Sequence, residues 1–177
     1  MKIMDRRTLL YASAIALNFG IAGCLTSEND SQSTSPAEGA QSGSGANLNI
    51  TKSVLSKYQS HQRALNSGYQ KSGTCVDGLG TPFVNPEITD VSYDEPRVLY
   101  YERTDGGEYN LVGVEWFVPA ESTDSPPELF AGEDRRTFDG PTDGHFPGQP
   151  RHYGLHAWLF SENPNGTFAT FNPTVRC

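Results

Sequence analysis

Lysine is almost missing from this chain, with four in 177 residues, and cysteine is scarce, with three. Acids outnumber bases 21 to 13, a formal net charge of −8. From Cys24 onward the balance is 10 bases against 20 acids, or −10. So acidic a surface repels phosphate backbones and anionic lipid headgroups, which excludes nucleic acid as a partner. An acid-rich, lysine-poor composition points to a salt-loving archaeon, an ordinary acidic secreted protein being the blander reading. Several chemical fingerprints are missing as well. There is no G-x-S-x-G, P-loop, Rossmann glycine pattern, H-E-x-x-H or C-x-x-C, and no repeat of solenoid length.

What is present begins with an address. Arg6 and Arg7 precede an apolar run over 9–22, in the manner of a twin-arginine export signal. Spanning a bilayer takes about 20 apolar residues. This run is shorter, contains Asn18, and ends in Ile21-Ala22-Gly23-Cys24, a lipobox-like sequence. Residues 1–23 therefore read as a signal peptide, with Cys24 as the site of lipid attachment and the membrane as partner through that lipid. One acyl chain holds a membrane only marginally, so a stable anchor implies a diacylglycerol-type group. Residues 24–47 are Ser-, Gly- and acid-rich and cannot repay their ordering entropy; they read as a flexible tether reaching about 25 Å.

Residues 48–177 remain for a single domain, long enough to bury roughly two-thirds of its surface. With Cys24 given to lipid, Cys75 and Cys177 are left in an oxidising compartment and are expected to pair; two free thiols are the other reading.

Within the domain, Ile50, Val54, Tyr58, His61, Leu65 and Tyr69 recur at helical spacing, predicting one long helix capped by Asn49 and ended by Gly68. Strand patterns follow at 97–103 and 109–118, joined by the hairpin signal T-D-G-G-E, with a short one near Phe83 and a last one over 153–160. In the second strand Val112, Val114, Trp116 and Val118 are expected on one face, with Tyr109, Leu111, Gly113, Glu115 and Phe117 on the other. Residues 119–151 form a long Pro/Gly/Asp-rich connection, with a helical turn at 127–130, of the kind that supplies binding loops. The expected fold is α+β: a long N-terminal helix on a small antiparallel sheet, long loops and one disulfide.

Gly68-Tyr69, C…G-x-G…F-V-N-P over 75–86, P-x-V-L-x-Y-E over 96–102, L-V-G-V-E-W-F-V-P over 111–119, P-P-E-L-F over 126–130 and L-H-A-W-L-F…N-P-N-G-x-F…N-P-x-x-x-C over 155–177 form an ordered set. The set resembles a widespread family of uncharacterised exported bacterial and archaeal proteins, over essentially the whole domain. The resemblance implies export and brings no activity. Members often carry a histidine where this chain has Pro82, so no role at that position carries over.

The sharpest constellation is Glu115 with His156, each on an aromatic-flanked strand face. If their strands are neighbours in register, the carboxylate could hold the imidazole in one tautomer, for general-base or metal-supporting chemistry or simply to specify register. His145, His152 and His156 invite a zinc reading, but on a regular strand His152 and His156 lie about 13 Å apart along the backbone. No metal or cofactor is therefore expected. Asn29, Asn49 and Asn165 sit in N-x-S/T sequons. The function expected is ligand binding or interaction with an envelope protein, with a small hydrolase or metal-dependent enzyme using Glu115 and His156 as the alternative.

Overall fold

A computed structural model describes residues 47–177; Arg6, Arg7, Cys24, Asn29 and the rest of residues 1–46, with the expected signal and all of the expected tether but Asn47, lie outside the described residues. Among the described residues, no helix is long and apolar enough to cross a membrane.

The long helix is not there. Instead α1 (Leu48–Leu55) passes into a 3-10 turn (Ser56–Gln59), and α2 (His61–Asn66) starts afresh after Ser60, whose ψ of 107° is extended. The break has a tertiary cause. In a continuous helix the Tyr58 carbonyl would accept from residue 62. It accepts from the Tyr101 hydroxyl of the sheet, at 2.5 Å. Ser60 then restarts the helix by accepting from the Arg63 amide at 2.9 Å. The inward face shifts with it: Thr51, Leu55, Tyr58 and Ala64 are buried, whereas Ile50 and Leu65 are exposed. The cap is Asn47 rather than Asn49, its side chain accepting from the Asn49 and Ile50 amides.

The sheet is six-stranded and antiparallel throughout: β1 (Gln70–Lys71), β2 (Thr81–Val84), β3 (Val98–Arg103), β4 (Tyr109–Pro119), β8 (His152–Ala157) and β7 (Asp139–Thr142), in that spatial order. Two short strands, β5 (Glu128–Leu129) and β6 (Arg136–Thr137), pair separately, and β5 takes the place of the helical turn expected at 127–130. The 11-residue β4 lies between β3 and β8 and is covered on both faces. The helices lie over Leu99, Tyr101, Val114, Trp116 and Leu155. Opposite them, Val98, Tyr100, Phe117, Phe146 and Trp158 pack with Val175 of the tail. Burying a large apolar side chain such as these contributes roughly 1.5–3 kcal/mol.

A β-bulge corrects the expected faces of β4. Tyr100 pairs with Gly113 and Tyr101 with Leu111, leaving Val112 as the extra residue. Leu111 therefore joins the helix side with Val114 and Trp116, and Val112 joins the opposite side with Phe117. From Gly113 onward the alternation is as expected, so Glu115 shares its face with Phe117.

Strand β8 stops at Ala157, short of the expected Phe160. Trp158 is buried on the tail side of the sheet, its indole N–H donating to the Ala169 carbonyl at 2.6 Å, whereas Phe160 is only half-buried. The chain then turns back. Asn172 is wholly buried; its amide donates to the Gly78 carbonyl at 2.9 Å, and the Gly78 amide donates to Val175 at 3.1 Å. Cys177 reaches Cys75 in a disulfide, Cα to Cα 5.6 Å.

Candidate functional site

Strands β4 and β8 pair so that Glu115 is directly opposite His156, the register on which a site depended. The carboxylate bonds elsewhere. Glu115 Oε1 is 3.0 Å from His152 Nε2, and Oε2 accepts from the Tyr100 hydroxyl at 2.5 Å. His156 Nε2 stands 3.7 Å from Oε2, beyond hydrogen-bonding distance, and is buried with no partner.

On strand spacing, His152 and His156 were expected to be too far apart to share one ion. Their backbones are, but both imidazoles lie on the same face of β8 and both Nε2 atoms turn to the one carboxylate between them. Side chains four apart on one strand lean toward each other here, so the backbone spacing does not keep their tips apart. His145 joins them from the 143–151 segment, its ring centroid 5.8 Å from that of His152 and 5.6 Å from that of His156.

The backbone makes room for this cluster at two glycines. A Cβ on Gly154 would stand 3.1 Å from Glu115 Oε1 and 3.2 Å from His152 Nε2, so the bond between those residues crosses bare backbone. A Cβ on Gly144 would come within 2.2 Å of the Gln149 carbonyl oxygen. That close approach folds 143–151 over the site. There the Gln149 side chain accepts from the His145 amide at 2.7 Å and donates to Glu115 Oε1 at 3.3 Å.

The charge state follows from geometry. His152 Nδ1 is 2.8 Å from the Pro150 carbonyl, which can only accept, so Nδ1 carries a proton. Nε2 faces a carboxylate and carries the second. Burial pulls the pKa of His152 down, but its bonds to Glu115 and Pro150 outweigh that, and the ring is held above the usual histidine range. Burial alone would raise the pKa of Glu115; the histidines and Tyr100 turned toward it keep it below the usual carboxylate range. His156 goes the other way. Burial lowers its pKa, the neighbouring imidazoles add to the effect, and Glu115 does not reverse it. His145 is lowered by burial too. The surroundings thus favour a buried ion pair between Glu115 and His152 and push His145 and His156 toward the neutral form.

A cleft of about 40 Å³ opens beside the pair, lined by Asp139, Thr142, His145, His152, Gly154, His156 and Thr170. Larger hollows occur elsewhere: about 620 Å³ beside Lys52, Trp158 and Pro164, and about 630 Å³ beside Lys71, Cys75 and Arg103. Neither is reached by the histidine cluster, so size alone recommends them. Among the described residues, no three His, Cys, Asp or Glu side chains already surround one point as a metal centre would.

Of the residues singled out from sequence, Glu115, His145, His152 and His156 come together. Cys75 and Cys177 form the disulfide and are not among the residues that line the cleft. His61 packs at a tilt against Tyr109, ring centroids 5.3 Å apart, and is outside the cluster. Asn49 and Asn165 are exposed. Sequence reasoning passed over Tyr100, Gln149 and Gly154. Only Gly154 left a trace, as the small residue between two histidines of like parity in H-Y-G-L-H. Comparison with protein-family models, with curated proteins and with solved structures gave no match in any of the three.

Proposed function

We propose that this chain is an exported lipoprotein, held at the outer face of the cell membrane by a lipid on Cys24, whose domain binds a small ligand at the cleft beside Glu115 and His156. Export and anchoring rest on sequence: paired Arg6 and Arg7, the apolar run and the 21–24 lipobox. Binding rests on one observation. His156 Nε2 is buried without a hydrogen bond at the edge of a cleft lined by two other histidines. A buried polar atom left unpaired costs about 1–3 kcal/mol, and a ligand supplying the contact recovers it. At about 40 Å³ the cleft admits an ion, a water or the tip of a larger molecule.

A small hydrolase or metal-dependent enzyme using Glu115 and His156 is the second reading, favoured by their separation of 3.7 Å. Against it, the cleft is too small to hold a scissile bond with its attacking water. An envelope-protein partner has no comparable observation behind it.

The binding reading is tested by thermal-shift screening of the full-length protein in high salt, beside His156→Gln. Ligands that raise the melting temperature of the wild type and leave the variant unmoved support it; hits that shift both alike remove the cleft from the proposal. For the anchor, Cys24→Ala is expected to leave the membrane fraction, and changing Arg6 and Arg7 together to Lys to stop export. Unchanged membrane fractionation of Cys24→Ala sinks the lipoprotein reading.

A further inference from the structure

Deepening the binding reading, on which it rests, we propose that the cleft takes one divalent transition-metal ion, held by His156 Nε2 and Glu115 Oε2 with His145 as third ligand. The separation of the first two donors carries the argument. Ligands on one tetrahedral ion, each about 2.0–2.2 Å from it, stand about 3.3–3.6 Å from one another. A hydrogen bond would draw the same atoms to about 2.7–3.2 Å. The observed 3.7 Å is closer to the distance across a shared ion than to that of a hydrogen bond. Both groups are buried, and His156 Nε2 has no partner at all.

Two imidazoles on one tetrahedral ion place their ring centroids about 5 Å apart. Those of His145 and His156 are 5.6 Å apart. As the side chains stand, no three donors meet at one point. To close the set, His145 has to turn about its own side-chain bonds, shifting its edge contact with the Phe171 ring. The His145 ring takes part in none of the hydrogen bonds that fix 143–151, which run through its backbone amide, Gln149, Pro150 and Arg151. The surrounding shell is already built. His152 and Tyr100 grip the two oxygens of Glu115 at 3.0 and 2.5 Å, as bonds to a ligating carboxylate do to hold it in orientation. Two nitrogens and one carboxylate oxygen form a borderline set that selects Zn²⁺, Co²⁺ or Ni²⁺ over Mg²⁺ and Ca²⁺, which prefer six or more oxygens.

The full-length protein, stripped with chelator, is titrated calorimetrically with Zn²⁺ and with Mg²⁺, and Co²⁺ is followed by its visible spectrum. One Zn²⁺ per chain, a tetrahedral Co²⁺ band and no Mg²⁺ binding are expected. His145→Ala, on a half-buried loop and able to fold, should weaken Zn²⁺ by more than about tenfold, and His156→Gln should abolish the Co²⁺ band. Zn²⁺ affinity unchanged in His145→Ala overturns the proposal, as does Mg²⁺ binding equal to Zn²⁺. If no metal binds while an organic ligand shifts the wild type but not His156→Gln, the ion is wrong and the binding site stands. If neither binds, both fall.

Discussion

His152 reaches Glu115 across the bare backbone of Gly154, and its Nε2 stops 3.0 Å from the carboxylate that also faces His156. The pair directly opposed in the ladder is not the pair that bonds. An interior carboxylate needs a compensating charge, and His152 supplies it because the Pro150 carbonyl fixes the proton on its other nitrogen. His156, without such a support, is pushed by burial toward its neutral form.

Breaking that ion pair from one side should be costly. His152→Leu leaves Glu115 charged in an interior site, and a loss of about 3–5 kcal/mol is expected in urea unfolding. Adding Glu115→Gln should restore part of it, since the stranded charge then disappears. A double-mutant cycle with no coupling between the two positions would show that they do not act as a pair.

Filling the crossing point should hurt in the same place. Gly154→Ala sets a methyl 3.1 Å from Glu115 Oε1, and Gly113→Ala sets one 2.8 Å from the Trp158 ring. Each is expected to cost about 1–3 kcal/mol by overpacking. Only Gly154→Ala should alter the imidazole resonances of His152 in the NMR spectrum. Identical histidine spectra for all three proteins would place the Glu115 bond elsewhere.

The tail is a structural latch held at two points. The Asn172 side chain donates to the Glu162 carbonyl at 3.0 Å and accepts from the Thr174 amide at 3.0 Å. Asn172→Ala should cost about 1–3 kcal/mol, against less than about 0.5 for Asn165→Ala at the exposed turn. Replacing Cys75 and Cys177 with serine opens a loop spanning a sequence separation of 102, with a loss of up to about 4.7 kcal/mol. Equal melting temperatures for the two asparagine variants would dissolve the latch.

Alkali should destabilise the fold through its buried phenols. Tyr69 donates to the Pro96 carbonyl at 2.6 Å and Tyr101 to Tyr58 at 2.5 Å; burial is the main cause holding both hydroxyls well above the ordinary tyrosine range. Below pH about 10 both are neutral folded or unfolded, and their contribution is complete. Above it the unfolded chain loses these protons and the folded one does not, so stability falls by about 1.4 kcal/mol per pH unit for each. Urea midpoints at pH 9, 10 and 11 should fall, and fall less steeply in Tyr69→Phe. A flat profile would mean that these hydroxyls ionise in the native protein.

The domain's outline was legible in residues that report on their own neighbourhood. T-D-G-G-E sets a hairpin by turn chemistry, and the apolar 109–118 run, paired on both edges, is a central strand whichever residue faces where. The Cys75–Cys177 bridge followed from there being no other cysteine left to pair. Elsewhere local pattern lost to contacts from afar. The helical stripe from Ile50 to Tyr69 was regular, yet the Tyr101 hydroxyl claimed the Tyr58 carbonyl and broke it. Alternation along β4 was regular too, until one unpaired residue, Val112, reversed the faces of everything before it. The site shows the same division. Glu115 and His156 could be named from the chain, because a carboxylate and an imidazole among aromatics are conspicuous. That His152 takes the carboxylate, Tyr100 its second oxygen and His145 the rim depended on three segments meeting over a glycine. A one-dimensional pattern records which face a residue takes, but not which of several like residues on that face will be near enough to bond; tertiary distance alone decided that.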